Sequence, residues 1–427
     1  MKKMLPSAAA VVAAVLAFNP AEAGAAELFE GKTVKVLIGY AAGGGYDTYG
    51  RFVARHIGKQ LPGKPNVITQ NMPGAGSIAV VNYIYGQGAR DGTEFATFTR
   101  SAPILALAGE SKQARFDPLK LTWVGTSSSY KGEAYMMMVR KDTGVRTIND
   151  LRALKKELRF AATSFGSDGT DVPIVLREVL GLNIVPLRGY PGGNSLYLAV
   201  DRGEAQGRMT GFASMQTAHP EWLKPDAIVR PILQFATRTR LPEFPDVPTA
   251  REVAGKSSNL DLIEMLEAPF YMARPFAAPP GLSAETTKVL RAAFMKAHQD
   301  PAAVKEAEKQ RLELSPSDGA EVHKVIERLA GVPKELYKRY NDILRNPKSP
   351  IREVKWQIVD GRISKLAKKG RFEIEADGKT HKSRVSSGYT KLTVKGKEAP
   401  ASSLKEGMAC KLWYEGEETD AGQVECK

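Results

Sequence analysis

From Gly31 to about Leu344 the chain alternates short β-branched apolar runs with stretches whose apolar residues recur at helical spacing. Thr33–Tyr40 (TVKVLIGY) predicts a buried strand. Asp47–Leu61 predicts a helix, because Phe52, Val53, Ile57 and Leu61 share one face before Pro62-Gly63 ends it. Val67–Gln70 and Glu94–Thr99 predict two more strands, with a helix at Ile78–Tyr85 between them. The alternation resumes with a strand at Arg159–Ala162, a helix at Val172–Leu180 and a strand at Ile184–Leu187. Repeated strand–helix units imply parallel sheets covered by helices on both faces. Ala134–Arg140 and Ile228–Phe235 suit crossovers between two such lobes, which would leave a hinged cleft; Met136-Met137-Met138 reads as crossover core. Past Pro279-Pro280 the pattern is helical over Ala284–His298, Pro301–Arg311 and Gly319–Leu344, the last broken at Gly331 and Pro333.

The pattern then changes. Asn346-Pro347-Lys348-Ser349-Pro350 reads as a linker. Beyond it, Trp356–Leu366, Arg371–Ala376, His381–Ser386, Lys391–Val394, Met408–Tyr414 and Gly422–Cys426 predict short strands, which implies a small antiparallel barrel. The chain's two cysteines, Cys410 and Cys426, lie at equal distance from Glu418 in the polar turn Gly416–Gly422, so a symmetric hairpin sets them opposite each other. In an oxidising compartment such a pair bonds as a structural staple, worth roughly 3 kcal/mol for a loop of this length. Neither CxxC spacing nor a helix N-terminus favours a redox role.

The compartment follows from the N-terminus. Lys2 and Lys3 precede an apolar stretch, Ala8–Phe18, and then Ala21-Glu22-Ala23, the pattern of a secretory signal peptide cleaved after Ala23 or Ala25. A stretch of that length is too short to cross a hydrocarbon core of roughly 30 Å. The expected division is a signal peptide over 1–25, a first lobe over 26–138 and a second over 139–235. A return to the first lobe with C-terminal helices over 236–345, a linker over 346–350 and a β module over 351–427 complete it. An apolar fraction of 43% and a charged fraction of 25% are ordinary for a globular protein. The net charge of +14 is dispersed, with no long Lys/Arg block, which argues against a nucleic-acid patch; an anionic membrane face and anionic solutes both remain, and charge alone does not choose between them.

Candidate chemistry sits in glycine-rich turns between a strand and the following helix. The first runs Ala41-Ala42-Gly43-Gly44-Gly45-Tyr46-Asp47, the second Asn71-Met72-Pro73-Gly74-Ala75-Gly76-Ser77, and the third Ser164-Phe165-Gly166-Ser167-Asp168-Gly169-Thr170. Glycines let the backbone approach a ligand, helix N-termini offer unpaired N–H groups to an anion, and such turns lie at strand carboxyl ends. Facing across a hinge they would clamp a small anion. Asp47 and Asp171, being acidic, read as braces of those loops. Arg100, beside Ser101 at a strand end, is the candidate carboxylate partner; Arg188, followed by Gly189 and Tyr190, is the weaker one. Tyr40, Tyr46 and Tyr190 are candidate pocket walls. Gly74–Ala79 matches a short dinucleotide fingerprint, but Pro73 intrudes and export argues against such a cofactor. No GxSxG, HExxH or Walker pattern occurs, and His56, His219, His298, His323 and His381 show no metal spacing, so neither catalysis, metal nor cofactor is expected. His56, His298 and His323 read as surface residues of helices.

At these loops the chain resembles the substrate-binding receptors of tripartite tricarboxylate transporters, the Bug family. The resemblance runs from about Gly31 to Leu344 and rests on Gly39–Leu61, Val67–Tyr85, Arg90–Phe98 and Leu241–Gly255 (LPEFPDVPTAREVAG). It implies an α/β, type II periplasmic-binding-protein fold with two doubly wound lobes and a hinge, here followed by an OB-like all-β barrel. It further implies a periplasmic receptor that grips two carboxylates of a ligand through loop N–H groups and bridging water and delivers it to integral-membrane transporter subunits; the ligand expected here is a small mono- or dicarboxylate, and the receptor a monomer. By position the ligand loops would be Gly43–Asp47, Gly74–Ser77, Thr99–Ser101, Gly166–Thr170 and Arg188–Gly193. The sequence departs from the family pattern at Ala42, usually Pro; at Arg100, usually a small residue; at the third loop, which lacks a histidine near the helix start; and at RGYPGG, usually a KGG-type run. A periplasmic enzyme using the cleft, a receptor feeding a sensor, and a β module binding nucleic acid or envelope polymer are the rival readings. That module carries sixteen Lys/Arg against twelve Asp/Glu.

Overall fold

The computed structural model describes residues 28–427 except 110, 132, 191, 257–258, 347–351, 355–356, 386–389, 415 and 417–418. The signal peptide, its cleavage sites and most of the Pro-rich linker therefore lie outside the described residues.

Apolar strands build two six-stranded sheets. In the first, Thr33–Ile38 pairs in parallel with Asn66–Asn71 and Glu94–Thr97, while Pro275–Ala278 lies antiparallel between Glu94–Thr97 and Thr122–Thr126. In the second, Leu158–Ala161 pairs in parallel with Ile184–Arg188 and Gly207–Gly211, and Tyr135–Arg140 runs antiparallel to Gly207–Gly211 and Val229–Phe235. The sheets are thus mixed rather than purely parallel, since each takes in strands where the chain returns. The boundary drawn between Met138 and Val139 falls inside a strand. All of Tyr135–Arg140 pairs in the second sheet, so the chain passes between the sheets before Tyr135 and again between Phe235 and Pro275. Helices cover both sheets; Gly319–Ala330 and Lys334–Leu344 are separate helices, parted at the expected break, Gly331–Pro333. No helix of the described residues is long and apolar enough to cross a membrane.

At the hinge the aromatic rings of Tyr130, Tyr135 and Phe235 pack on Phe270, with centroids 5.0–5.4 Å apart. This cluster joins the cores of both lobes. His56 and His298, expected at the surface, are buried instead. His298 bonds the Phe294 carbonyl and Ser127 Oγ, each at 2.8 Å, and His56 bonds Glu306 at 2.7 Å, because the apolar faces of their helices include the imidazole rings.

The C-terminal segment forms an eight-stranded sheet around Ile363, Phe372, Ile374, Leu412 and Val424. Cys410 and Cys426 are cross-strand neighbours joined by a disulfide. Among the described residues no strand pairing closes the sheet into the expected barrel, and it is not wholly antiparallel. Lys391–Val394 runs parallel to Gln423–Cys426, and the two-residue strand Thr419–Asp420 parallel to Ser383–Arg384. The module does not hang free of the lobes. Arg352–Glu353 adds a parallel edge strand to the second sheet beside Leu187–Arg188, and the Val354 N–H donates to the Arg188 carbonyl at 2.8 Å.

Candidate functional site

Four helices begin at the wall of a cavity between the lobes: α1 (Gly45–Ile57) from the first, and α2 (Asp168–Leu180), α3 (Gly193–Asp201) and α4 (Phe212–Ala218) from the second. The cavity measures about 90 Å³. That is well above the roughly 10–15 Å³ a single water needs, and of small-molecule size. First-turn N–H groups have no intrahelical partner, and helix dipoles place partial positive charge at these ends.

The turns are held by their own acids. The Gly43 N–H, at a glycine with φ of +87°, donates to Asp47 Oδ2 at 2.9 Å, and Asp47 also accepts from Arg51 and Asn71. In the second lobe Asp171 accepts the Gly166 N–H at 3.1 Å and the Tyr340 hydroxyl at 2.8 Å. Burial pushes the Asp171 carboxyl up to about 7 against the pull of those donors. The Gly74–Ser77 turn is a support rather than a wall. All of its residues have positive φ, Ser77 Oγ accepts the Thr99 N–H at 2.8 Å, and Tyr40 donates to the Gly76 carbonyl.

Three arginines line the cavity, each almost wholly buried: Arg100, Arg208 and Arg274. Arg100 is paired within the protein through its Nε, while its buried Nη1 has no hydrogen-bond partner. Its Nε lies 3.2 Å from Asp168 Oδ2 of the other lobe and 3.2 Å from the Tyr46 hydroxyl, and its guanidinium sits 4.3 Å from the Phe270 ring centroid. Arg208 donates to the Gly193 and Met209 carbonyls and stacks on Tyr197; burial lowers its pKa from the ordinary value. Arg274 donates to the Ala273 carbonyl and, across the cleft, to Ser214 Oγ at 2.8 Å, leaving its buried Nε without a partner. Neither Arg208 nor Arg274 has a carboxylate at ion-pair distance among the described residues. The field of Arg274 reaches Glu133 and Glu313, but burial raises both carboxyls, Glu133 to about 7, and Glu133 accepts the Ala213 N–H.

Of the residues singled out from sequence, Gly44, Gly45, Tyr46, Arg100, Ser167 and Gly169 meet at the cavity, together with Tyr40. Gly43, Asp47, Gly166 and Thr170 lie behind that wall, as do Gly74, Ala75, Gly76, Ser77 and Ser101. Arg188 stacks on Phe165 at 4.1 Å, Tyr190 donates to Glu204, and Gly189 contacts the Val354 region, so this turn does not line the cavity. Its continuation does, through Gly193 and Asn194. Arg208 and Arg274 escaped sequence reading. Each lies within or just before a strand that pairs antiparallel in its sheet, and nothing local marks which end of such a strand meets the cleft. No histidine lines the cavity, and no group of three His, Cys, Asp or Glu suited to a metal occurs among the described residues.

No family model matches the chain. A Cupriavidus necator protein called UPF0065 protein in gbd 5'region is 28% identical over 301 residues, covering 69% of this chain and 83% of its own. The periplasmic binding protein BugD shares the fold with a TM-score of 0.58 at 16% identity, over 73% of this chain and 99% of its own. MatC from Rhodopseudomonas palustris, solved with bound malate, does so with a TM-score of 0.57 at 22% identity, over 74% of this chain and 100% of its own. The likeness to Bug-type receptors read from the sequence is borne out, and the fold is the type II periplasmic-binding-protein fold.

Proposed function

We propose that this chain, sharing fold and signature segments with Bug-type solute receptors, captures a small dicarboxylate between its lobes and catalyses no reaction. One observation carries the reading. Arg208 from one lobe and Arg274 from the other face a common cavity, buried and with no carboxylate at ion-pair distance among the described residues, beside the N-termini of α1, α2 and α3. A buried charge lacking a partner is costly, and a bound carboxylate on each guanidinium removes that cost. Malate, the ligand of the MatC structure, is of the size and charge such a cavity accepts. Delivery follows from closure: the chain acts in the periplasm after export, and the closed lobes present a joint surface to transporter subunits in the membrane.

The test is calorimetric titration of the purified protein with succinate, malate and adipate, with the solution analysed for products afterwards. We expect one site per chain and no turnover. Saturation at a hundredfold excess over Kd should stabilise the fold by roughly 2.7 kcal/mol. Replacing Arg208 or Arg274 by Gln should raise Kd by roughly tenfold to a hundredfold, as expected for a lost charge-assisted hydrogen bond. Consumption of a bound acid, or unaltered affinity in both variants, would remove the reading.

A further inference from the structure

We infer that Asp168 and Arg100 form a charge-setting pair, which fixes how many anionic groups the ligand of this cleft must carry. The inference rests on the dicarboxylate reading above and deepens it. Four charged side chains line the cavity: Arg100, Arg208, Arg274 and Asp168. Asp168 opens α2 in the second lobe, and its carboxylate meets Arg100 Nε of the first lobe at 3.2 Å, both side chains being buried. The Thr99 hydroxyl adds a longer contact to the same carboxylate. Arg100 is also enclosed by aromatic rings, with Phe270 at 4.3 Å and Tyr130 at 5.1 Å, and its backbone N–H and Nε both donate to the Tyr46 hydroxyl. Its buried Nη1 has no hydrogen-bond partner, but the rings and the Nε contacts to Asp168 and Tyr46 fix the orientation of the guanidinium.

Its charge still acts on the cavity, and Asp168 cancels it. Coulomb energy in a poorly solvated site decays slowly with distance, so a ligand senses the sum of the lining charges and not only the groups it touches. Among the lining groups that sum is two positive charges, those of Arg208 and Arg274, and a dianion matches it; Glu133 and Glu313, outside the lining, are shifted toward the neutral form by burial. The pair is therefore specificity-determining without touching the carboxylates: Asp168 withholds the third arginine from the ligand. A second consequence follows from the pair's geometry. It spans the cleft, so it is complete only when the lobes are closed, and charge matching is applied at the moment of capture.

The experiment compares each dicarboxylate (succinate, malate, adipate) with its mono-amide, which has the same size and one charge less. The readout is the ratio of the two dissociation constants, measured by calorimetry for the wild type, Arg100→Gln, Asp168→Asn and the double variant. Arg100→Gln leaves a lining sum of one and should cut the preference for the dianion by about tenfold or more. Asp168→Asn raises the sum to three and should increase that preference. The double variant restores the sum to two and should return the ratio to near the wild-type value, even if both affinities drop. A role for the pair in closure alone would weaken acid and amide equally, leaving the ratio unchanged in all variants, and that result overturns the inference. So does a double variant whose ratio stays as low as that of Arg100→Gln, which would mean Arg100 contacts the ligand. Failure of the wild type to bind any of the acids sinks the dicarboxylate reading itself, a distinct result. Thermal melts of each variant identify unfolding, and the double variant, which buries neither charge, keeps the comparison open if a single one fails to fold.

Discussion

His298 shows how a residue that looked superficial in sequence becomes a stability determinant. Its ring lies between Phe294 and Phe52 in the first lobe, and burial pulls its pKa down from 6.5 to about 4. The folded protein therefore holds a neutral imidazole where the unfolded chain holds a charged one. Between pH 6.5 and 4 the unfolded state binds more protons. The stabilisation is complete above the unfolded value of 6.5 and is lost as pH falls toward the folded value. At 1.36 kcal/mol per unit the loss is at most about 3 kcal/mol. Glu133 and Asp171, raised to about 7, act oppositely: their buried carboxyls are protonated at low pH, so each favours the fold as pH drops below 7. Denaturant melts from pH 7 to 4 should then show a steeper acid-side gain in His298→Gln than in the wild type, because the opposing histidine is gone. Identical pH profiles would show that His298 is not the neutral buried group described here.

Among the elements, the added strand Arg352–Glu353 ties the C-terminal module to the cleft. It extends the second sheet at Leu187–Arg188, and the next residue, Val354, both bonds the Arg188 carbonyl and packs into that lobe's core. The turn it braces leads directly into α3, whose first residues line the cavity. Val354→Pro removes the N–H donor, a loss of about 1 kcal/mol or roughly fivefold in affinity if the turn loosens. Calorimetry on that variant, with Val354→Ile as the conservative control, should show weaker ligand binding in the proline variant alone; equal affinities would uncouple the module from the cleft. This contact also marks where sequence reading stopped. The strand–helix alternation and the glycine turns were legible because hydrophobic period and backbone permissiveness are local properties. So was the disulfide, since a hairpin turns equal spacing into opposition. The edge strand is two residues long after a Pro-rich stretch and carries no period. Arg208 and Arg274 were missed for a related reason: their approach to α1 and α3 is made by pairing between segments more than 50 residues apart. Arg100 was found, but its partner Asp168 was visible only once both lobes were in place.

For the whole molecule the lobes are drawn together, and the contact is made largely by backbone. The Cβ position of Gly44 lies 3.4 Å from the Gly193 nitrogen, and that of Gly76 lies 3.1 Å from the Phe165 carbonyl. Arg100–Asp168 and Arg274–Ser214 bridge the same gap. Gly44 separates closure from folding. Its φ of −89° and ψ of 170° are extended values that a β-branched residue adopts without strain, so a side chain there costs the isolated lobe little. In the closed arrangement a Cβ already sits in van der Waals contact with the start of α3, and the methyls of valine would strike it. Gly44→Val should therefore melt as the wild type does without ligand yet fail to close. By small-angle scattering the wild type should contract when saturated with its dicarboxylate, whereas the variant should keep its unliganded radius of gyration and bind at least about tenfold more weakly, since a binding-competent state that is rarely populated lowers apparent affinity in proportion. A variant that contracts and binds like the wild type would mean that capture does not require Gly44 and Gly193 to meet, and the hinged-jaw account of this cleft would fail with it.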